Sequence, residues 1–282
     1  MDENRNSNIS SEHSEELLNI IENFRLMDDT FMSKVFEDKA CAELLLRVIL
    51  NRDDLTVVRV VSQFELKNLQ GRSARLDIYA VDEHGKQYDV EVQRSDDGAA
   101  PRRARYNSSL LDANLLNPGD KFDELPESYI IFITEHDVLK GGKPLYTVNR
   151  TISELNHAIF THGSHIIYVN GEIRNGTALG ELMQDFFCKD PREMHYKVLS
   201  DRAGYFKKDK EGVDTMCKLM EDYADKRARQ AAEAAAEKAA KERSISIATN
   251  LWNKGERDLQ QIADLTDLPL DEVKKLFEGK TA

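Results

Sequence analysis

Two carboxylates and a glutamine at fixed spacing are the residues of this 282-residue chain best suited to chemistry. They are Asp77, Glu91 and Gln93. Two carboxylates that are held close together repel each other, and a divalent cation removes that repulsion. Hard cations such as Mg²⁺ take oxygen ligands from one or two carboxylates, from waters and from substrate phosphates. The three residues are therefore candidates for a cation site that acts on a phosphate substrate.

A β-hairpin is the element that must bring these residues together. We predict strands at Arg75–Val81 and Gln87–Gln93, joined by a turn at Asp82–Gly85. Because side chains alternate between the two faces of a strand, apolar residues share one face and the carboxylates share the other. Either register that the turn allows makes Asp77 and Glu91 neighbours. The alternative interpretation is a half-exposed antiparallel hairpin with a solvated polar face.

The same stretch resembles a known nuclease family. An Asp followed at a distance by Glu-x-Lys or Glu-x-Gln is the signature of the PD-(D/E)XK nuclease superfamily, and Asp77…Glu91-Val92-Gln93 resembles it. The segment R-L-D-I-Y-A-V-D-x-x-G-K-x-Y-D-V-E-V-Q-R is similar to sequences of the Rpn branch. The members of this branch are recombination-promoting nucleases that are also described as transposases. Other segments fit that branch in order across most of residues 25–220, namely D-D-T-F-M (28–32), E-L-L-L-R-V-I-L (43–50), R-A-R-Y (103–106) and S-Y-I-I-F-I-T (128–134).

This resemblance implies a Mg²⁺-dependent (or Mn²⁺-dependent) DNA endonuclease of the recombination-promoting type. If this chain follows the family pattern, Asp77 and Glu91 hold the metal, and the backbone carbonyl of Val92 is a further ligand. Gln93 stands where other superfamily members carry lysine. It can hydrogen-bond a water, but it has no charge and takes no proton. This departure bears on the rate of cleavage more than on the type of chemistry.

An amphipathic helix is predicted before the strands. Asp28 and Asp29 would cap its N-terminus, and Asp38 marks a break. In the superfamily a glutamate on the first helix often reaches the metal site, and Glu43 is the matching position. An ordinary ion pair between Glu43 and Arg47 is the alternative.

A second predicted helix, after the hairpin, carries an arginine cluster. Asp96 or Asp97 would cap this helix, and Arg102, Arg103 and Arg105 follow. Arginines in a first turn oppose the helix dipole, and an anionic ligand nearby would offset that effect. The three arginines are therefore candidates for contacts with DNA phosphates. The alternative is that they pair with the two aspartates.

The order of predicted elements matches the superfamily core. A strand at Thr56–Leu66 precedes the hairpin, and a fully buried strand at Ser128–Thr134 follows the arginine helix. Helix, three strands, helix and strand make the αβββαβ core, a mixed sheet flanked by helices. Further elements are predicted at Leu145–Val148, at Ile152–Phe160 (helix), at Ser164–Val169 (strand) and at Leu179–Phe187 (helix).

Composition excludes some classes of protein. The net charge of −12 gives no overall attraction to nucleic acid, which counts against a non-specific DNA coat protein but allows a local basic groove. Cys41, Cys188 and Cys217 are far apart and unlike a disulfide framework or zinc site, which favours the reducing cytoplasm. No apolar run approaches membrane-spanning length, and the N-terminus does not resemble a signal peptide, so no membrane association is expected.

Four segments are predicted along the chain. Residues 1–14 are rich in Asn, Ser and Glu and are expected to be disordered, and residues 15–212 form the nuclease-like domain. Residues 213–243 form an Ala- and charge-rich helical arm, through which a homodimer is possible although its alanine stripe supports a coiled coil poorly. Residues 244–282 resemble a helix-turn-helix, but two acids and two lysines on its second helix favour protein contact over DNA reading.

Two other function classes stay open at this point. The domain could be a catalytically weak or inactive nuclease-derived regulator that binds DNA or protein, which the negative charge and the missing lysine favour. A DNA-binding regulator that acts through the C-terminal tail is the third possibility.

Overall fold

The computed structural model describes residues 15–68 and 71–278, which belong to two compact units. The first unit ends at Lys218 and the second begins at Leu219. The predicted disordered segment, residues 1–14, lies outside the described residues.

Three helices precede the sheet. Residues 15–23 form α1, followed by α2 (Asp29–Val35) and α3 (Lys39–Leu50). The predicted break is present because the side chain of Asp38 accepts two backbone N–H groups of the first turn of α3 and starts a new helix. Asp28 precedes α2, but its carboxylate does not cap that helix.

The strands are β1 (Val57–Leu66), β2 (Ala74–Asp82), β3 (Gln87–Gln93), β4 (Ser128–Thr134), β5 (Leu145–Val148), β6 (Thr151–Ile152), β7 (Ala158–Ile159) and β8 (Ser164–Asn170). Six of them form one sheet in the order β1-β2-β3-β4-β8-β5, and β6 and β7 pair separately. Neighbouring strands are antiparallel except at β3/β4 and β4/β8, which are parallel. With α3 before β1, and α4 (Pro101–Ala113) between β3 and β4, the predicted αβββαβ core is confirmed.

Helix α4 covers the face of the sheet that carries the carboxylates. Leu111 and Ala104 of this helix pack in one apolar cluster with Phe132 and Tyr168 of the sheet. Burial of a large apolar side chain is worth roughly 1.5–3 kcal/mol, so this contact fixes α4 on the sheet. The interpretation of a half-exposed hairpin with a solvated polar face is therefore wrong.

The start of α4 differs from the prediction. Asp96 and Asp97 lie in a separate 3-10 turn, and the residue before the helix is Ala100, which makes no side-chain cap. Pro101 occupies the first turn, and a proline forces the preceding residue into an extended conformation. This extended residue separates the two aspartates from the helix that they were expected to cap.

The helix expected at Ile152–Phe160 is also absent. The segment instead forms the short β6–β7 pair, closed by a turn in which Asn156 and His157 have φ values of 54° and 57°. Two consecutive left-handed residues end a right-handed helix, which explains the error.

Helices α2 and α3 contact β1, and two later helices of the first unit pack on α2 and α3. The helix predicted near Leu179–Phe187 is confirmed as α5 (Ala178–Phe187), and α6 (Lys197–Lys208) follows it. Phe36 stacks on Phe186 of α5, with ring centroids 5.7 Å apart. These contacts bury α2, α3 and α5 together.

The second unit is helical. It consists of the later part of α7 (Lys210–Asn253), α8 (Leu259–Thr266) and α9 (Leu270–Phe277). Its small core includes Trp252 and Phe277, whose rings stack with centroids 4.4 Å apart. None of the helices that the structure describes is both long and apolar enough to cross a membrane.

Candidate active site

Three carboxylates from β2 and β3 meet beneath α4. Ile78 pairs with Val90 in the antiparallel register, so the next residues along each strand, Asp77 and Glu91, lie opposite each other. Asp89 lies on the same face of β3, two residues before Glu91. Asp77 is 6% exposed, and the other two carboxylates are fully buried. Three acidic groups are thus removed from water in one place.

Few donors satisfy these carboxylates. The Oδ2 atom of Asp77 accepts a hydrogen bond from the backbone N–H of Val92 at 3.1 Å. The Nδ2 atom of Asn107 in α4 makes two long contacts of 3.4 Å, one with Oδ2 of Asp89 and one with Oε1 of Glu91. Among the described residues, Oδ1 of Asp89 has no partner. The cluster therefore carries more acceptor capacity than the protein supplies donors.

A cationic side chain of α4 forms hydrogen bonds with the cluster. Arg103 of α4 donates through NH2 to Oε2 of Glu91, and through NH1 to Oε1 of Gln93 at 3.2 Å and to the carbonyl of Gly98 at 2.9 Å. The Nε2 atom of Gln93 donates to the same oxygen of Glu91 at 3.2 Å. Arg103, Gln93 and Glu91 consequently form a closed triangle of hydrogen bonds.

The electrostatics of the cluster favour a positive charge. Burial raises the pKa of Asp77, Asp89 and Glu91 because a desolvated carboxylate is costly. Among the neighbouring carboxylates, Asp29 of α2 raises the pKa of Asp77 further, and Asp77 raises the pKa of Glu91. Glu91 and Asp77 both raise the pKa of Asp89. Arg103 acts in the opposite direction on all three. A further cation in this place would stabilise the ionised carboxylates.

A cleft of about 1510 Å³ opens onto this cluster. Asp77, Val92 and Gln93 are part of its lining, whereas Glu91 and Asp89 lie behind that surface. One set of lining residues comes from α1, α2 and the segment between them and includes both aspartates of the D-D-T-F-M segment. A second set is basic. The lining arginines are Arg72, Arg75, Arg94, Arg102 and Arg103.

The comparison with known families agrees with this geometry. Residues 32–177, more than half of the chain, match the family model described as PD-(D/E)XK nuclease family transposase. The chain belongs to this family. The matched segment contains the hairpin and α4, so the resemblance read from the sequence is confirmed at the level of the family. No curated protein and no solved structure matches the chain significantly.

Most of the family motif is brought together as the resemblance implies. Asp77, Glu91, Val92 and Gln93 are adjacent at the same end of the hairpin. All four residues lie within the matched residues 32–177. The assignment of a role to each of them is a proposal, taken up below.

The arginines of α4 divide into different environments. Arg102 and Arg103 line the cleft, whereas Arg105 is exposed and is not part of the lining. Within the described chain, no salt bridge joins any of them to Asp96 or Asp97. The alternative in which the arginines pair with these aspartates is therefore wrong, and Arg103 pairs with Glu91 instead.

Glu43 is not brought into the cluster. Its Oε1 atom lies 2.9 Å from a guanidinium nitrogen of Arg47, and its Oε2 atom accepts the backbone N–H of Val57 at 2.9 Å. Both oxygens are thus engaged at the start of β1, and the residue does not line the cleft. The structure corrects the metal-site assignment of Glu43 and supports the ion-pair alternative.

Three residues of the site were missed from the sequence. Asp29 lines the cleft on α2 and acts electrostatically on Asp77. Asp89 and Asn107 are buried beside Glu91. Strand alternation already placed Asp89 on the carboxylate face, and Asn107 lies one helical turn after Arg103, so both signals were present.

The donor set fits a Mg²⁺-type ion. Among the described residues, no group of three or more His, Cys, Asp or Glu side chains is arranged to hold a metal ion. Mg²⁺, however, usually takes only one or two carboxylates and keeps several waters. The partnerless oxygen of Asp89 and the raised carboxyl pKa values indicate that the protein supplies too few donors and too little positive charge to stabilise the ionised cluster. Two carboxylates and a nearby backbone carbonyl match the needs of such an ion.

Proposed function

We propose that the cleft is a DNA endonuclease site that hydrolyses phosphodiester bonds with Mg²⁺ or Mn²⁺. The observation that supports this most strongly is the pairing of Asp77 with Glu91 at the floor of a cleft with a basic wall. Buried, mutually repelling carboxylates cost stability, and a functional requirement explains why a protein keeps them.

Each motif residue has a role in this proposal. Asp77 and Glu91 hold the ion through their carboxylates, and the backbone carbonyl of Val92 is a further ligand. When bound, the ion polarises the phosphate and lowers the pKa of a coordinated water. Gln93 orients its neighbours through its amide but transfers no proton. Asn107 holds the carboxylates of β3 from the helix side.

The basic wall would receive the DNA backbone. Arg72, Arg75 and Arg102 line the cleft, and within the described chain none of them forms a salt bridge. Uncommitted guanidinium groups suit phosphate oxygens because they can donate two parallel hydrogen bonds. Arg105, exposed on the same helix, would contact a flanking phosphate. A local basic surface of this kind is compatible with a net charge of −12.

The setting of this activity is part of the proposal. Cys41 and Cys188 are free thiols, which suits a reducing cytoplasm. A nuclease of this family that cuts DNA there would promote recombination by supplying broken ends. We retain residues 15–212 as the nuclease-like domain, 213–243 as a helical arm available for homodimer formation, and 244–282 as a small module for protein contact.

A second candidate is a nuclease-derived protein that binds DNA or protein without cutting. Its support is that Glu91 lies behind the surface of the cleft and is covered by Arg103, while Gln93 replaces the usual lysine. Such a protein would still place DNA phosphates on the basic wall.

A plasmid-nicking assay separates these two functions. Wild type should relax supercoiled DNA in Mg²⁺ or Mn²⁺ but not in EDTA, and Asp77→Ala should be inactive because a metal ligand is lost. Asp201→Ala is a matched control, since this aspartate is exposed and paired with Lys197 away from the cleft. Equal cutting by wild type and Asp77→Ala would refute the site. DNA binding without cutting in any metal would favour the second candidate.

A further inference from the structure

The usual E-x-K motif contains a lysine, and this chain lacks that positive charge at the corresponding position. Gln93 occupies the lysine position and is neutral. Its amide, however, is not idle: Nε2 donates to Glu91 and Oε1 accepts from Arg103. A lysine at this position could donate to Glu91, but it could not accept from a guanidinium, because an ammonium has no acceptor. Glutamine is thus suited to hold an arginine against the glutamate.

We propose that Arg103 on α4 supplies the positive charge that the E-x-K lysine supplies elsewhere, and that Gln93 is the residue that positions it. The inference rests on the proposed nuclease function. An arginine stays protonated at any physiological pH, so its role is electrostatic and it moves no proton. Its charge lies beside Glu91, where it would offset the charge that develops on a phosphate during cleavage.

The surroundings indicate a built arrangement rather than a chance contact. Arg103 is held from three sides, by Glu91, by Gln93 and by the carbonyl of Gly98. A Cβ atom on Gly98 would lie 2.0 Å from Oε1 of Gln93, so any other residue there would displace the glutamine amide. The glycine, the glutamine and the arginine therefore form one unit around a buried carboxylate.

Two competing roles give different results. Arg103 could only close the site, in which case its removal would expose Glu91 and raise the cleavage rate. Alternatively, Arg103 could only donate hydrogen bonds that hold Glu91 in position. In that case a neutral donor at position 103 would preserve the cleavage rate. A charge-supplying role predicts neither result.

The test compares Arg103→Ala, Arg103→Gln, Gln93→Lys and the double variant Arg103→Ala/Gln93→Lys. We expect both neutral substitutions at position 103 to slow nicking at saturating DNA and metal on the order of 10²-fold. The double variant should recover much of this loss, because it returns the charge to the strand. Gln93→Lys alone should not exceed wild type, since it puts two cations side by side.

A second readout does not depend on cutting. Removal of a positive charge next to Glu91 should strengthen cation binding. The Mn²⁺ concentration needed to raise the melting temperature should therefore fall roughly tenfold in Arg103→Ala. In the double variant this concentration should return to the wild-type value. Arg192→Ala is the matched control, because Arg192 also pairs with a carboxylate, that of Asp190, but does not line the cleft. It should leave both readouts unchanged.

The outcomes keep this inference apart from the function on which it rests. If wild type never cuts DNA, the nuclease proposal fails, and unchanged Mn²⁺ binding in Arg103→Ala would still refute the charge assignment. If wild type cuts and Arg103→Ala cuts equally well or faster, only the role of Arg103 is overturned. Full activity of Arg103→Gln, or no recovery in the double variant, would also overturn it.

Discussion

Two aspartates of the first unit are equally buried, yet their surroundings differ. Asp185 of α5 accepts hydrogen bonds from the backbone N–H groups of His195 at 2.7 Å and Tyr196 at 2.9 Å, and its Oδ1 atom lies 3.0 Å from Nδ1 of His195. Asp89 of β3 has one long contact with Asn107, and its other oxygen has no partner in the described chain.

This difference distinguishes a buried carboxylate that stabilises the fold from one that is kept for a function. A buried carboxylate that receives several donors ties segments together, as Asp185 does between α5 and the start of α6. A buried carboxylate that faces other carboxylates costs free energy of folding. Asp89 and its neighbours are therefore expected to gain from a cation, and Asp185 is not.

The largest effect on stability is expected at the satisfied aspartate. Asp185→Ala removes the charged acceptor of the N–H groups of His195 and Tyr196, and a hydrogen bond to a charged group contributes about 1.5–3 kcal/mol. We expect a loss of roughly 3 kcal/mol in urea unfolding. The exposed Asp201→Ala should stay within about 0.5 kcal/mol of wild type. A loss as small as that control would erase the distinction between the two aspartates.

Metal ions should stabilise the protein through the carboxylate cluster of β2 and β3, not through Asp185. A ligand that binds only the folded state at 100 times its Kd stabilises by about 2.7 kcal/mol, so Mg²⁺ or Mn²⁺ should raise the melting temperature. Glu91→Ala should lose this rise because it removes a proposed ligand. Asp185→Ala should melt at a lower temperature but keep the same increment. An undiminished rise in Glu91→Ala would place the ion elsewhere.

Stability of the metal-free protein should fall with rising pH. Burial raises the pKa of Asp77, Asp89 and Glu91 above the values of the unfolded chain, so the folded state holds these protons longer. Their contribution is complete below the ordinary carboxyl pKa of about 4 and is lost as pH rises through the higher folded pKa values.

Urea unfolding in EDTA from pH 4.5 upward tests this dependence against the background of other titrating groups. Asp77→Asn should flatten the fall, and added Mg²⁺ should reduce it at neutral pH, because the ion favours the ionised carboxylates. A steeper fall in Asp77→Asn than in wild type would contradict the assignment.

The sequence predicted the part of the site that depends on local geometry. Alternation along two strands and one short turn suffice to bring Asp77 beside Glu91, and the αβββαβ order follows from the spacing of apolar runs. The conformation of the segment that forms β6 and β7 was not predictable in the same way. Its left-handed turn at Asn156 carries no glycine signal.

The rest depends on packing between distant segments. Glu43 points to the start of β1 and Asp29 to the cleft because of how α2 and α3 lie on the sheet. Helical periodicity does not determine that placement. Asp89 became a functional candidate because α4 covers it and so buries its carboxylate. The pairing of Gln93 with Arg103 joins a residue of a strand to a residue of a helix. Such contacts require tertiary structure.

The smallest predicted effect compares the two aspartates directly. Asp89→Asn keeps the shape of the side chain, removes a carboxyl group that is unfavourable to ionise beside Glu91, and adds a donor next to the carboxylates. We expect a gain of roughly 1 kcal/mol at neutral pH without metal, comparable to one net hydrogen bond. Asp185→Asn should have the opposite sign, because its new amide N–H₂ faces the donors of His195 and Tyr196.

The gain should also depend on conditions. At acidic pH the carboxyl of Asp89 is protonated in wild type, so the advantage of Asp89→Asn should shrink, and Mg²⁺ should reverse it by favouring the ionised cluster of wild type. Urea unfolding of both variants at two pH values, with and without Mg²⁺, measures all of these differences. Destabilisation by Asp89→Asn in EDTA at neutral pH would show that Asp89, like Asp185, is held for structure, since its charge would then be satisfied within the folded protein.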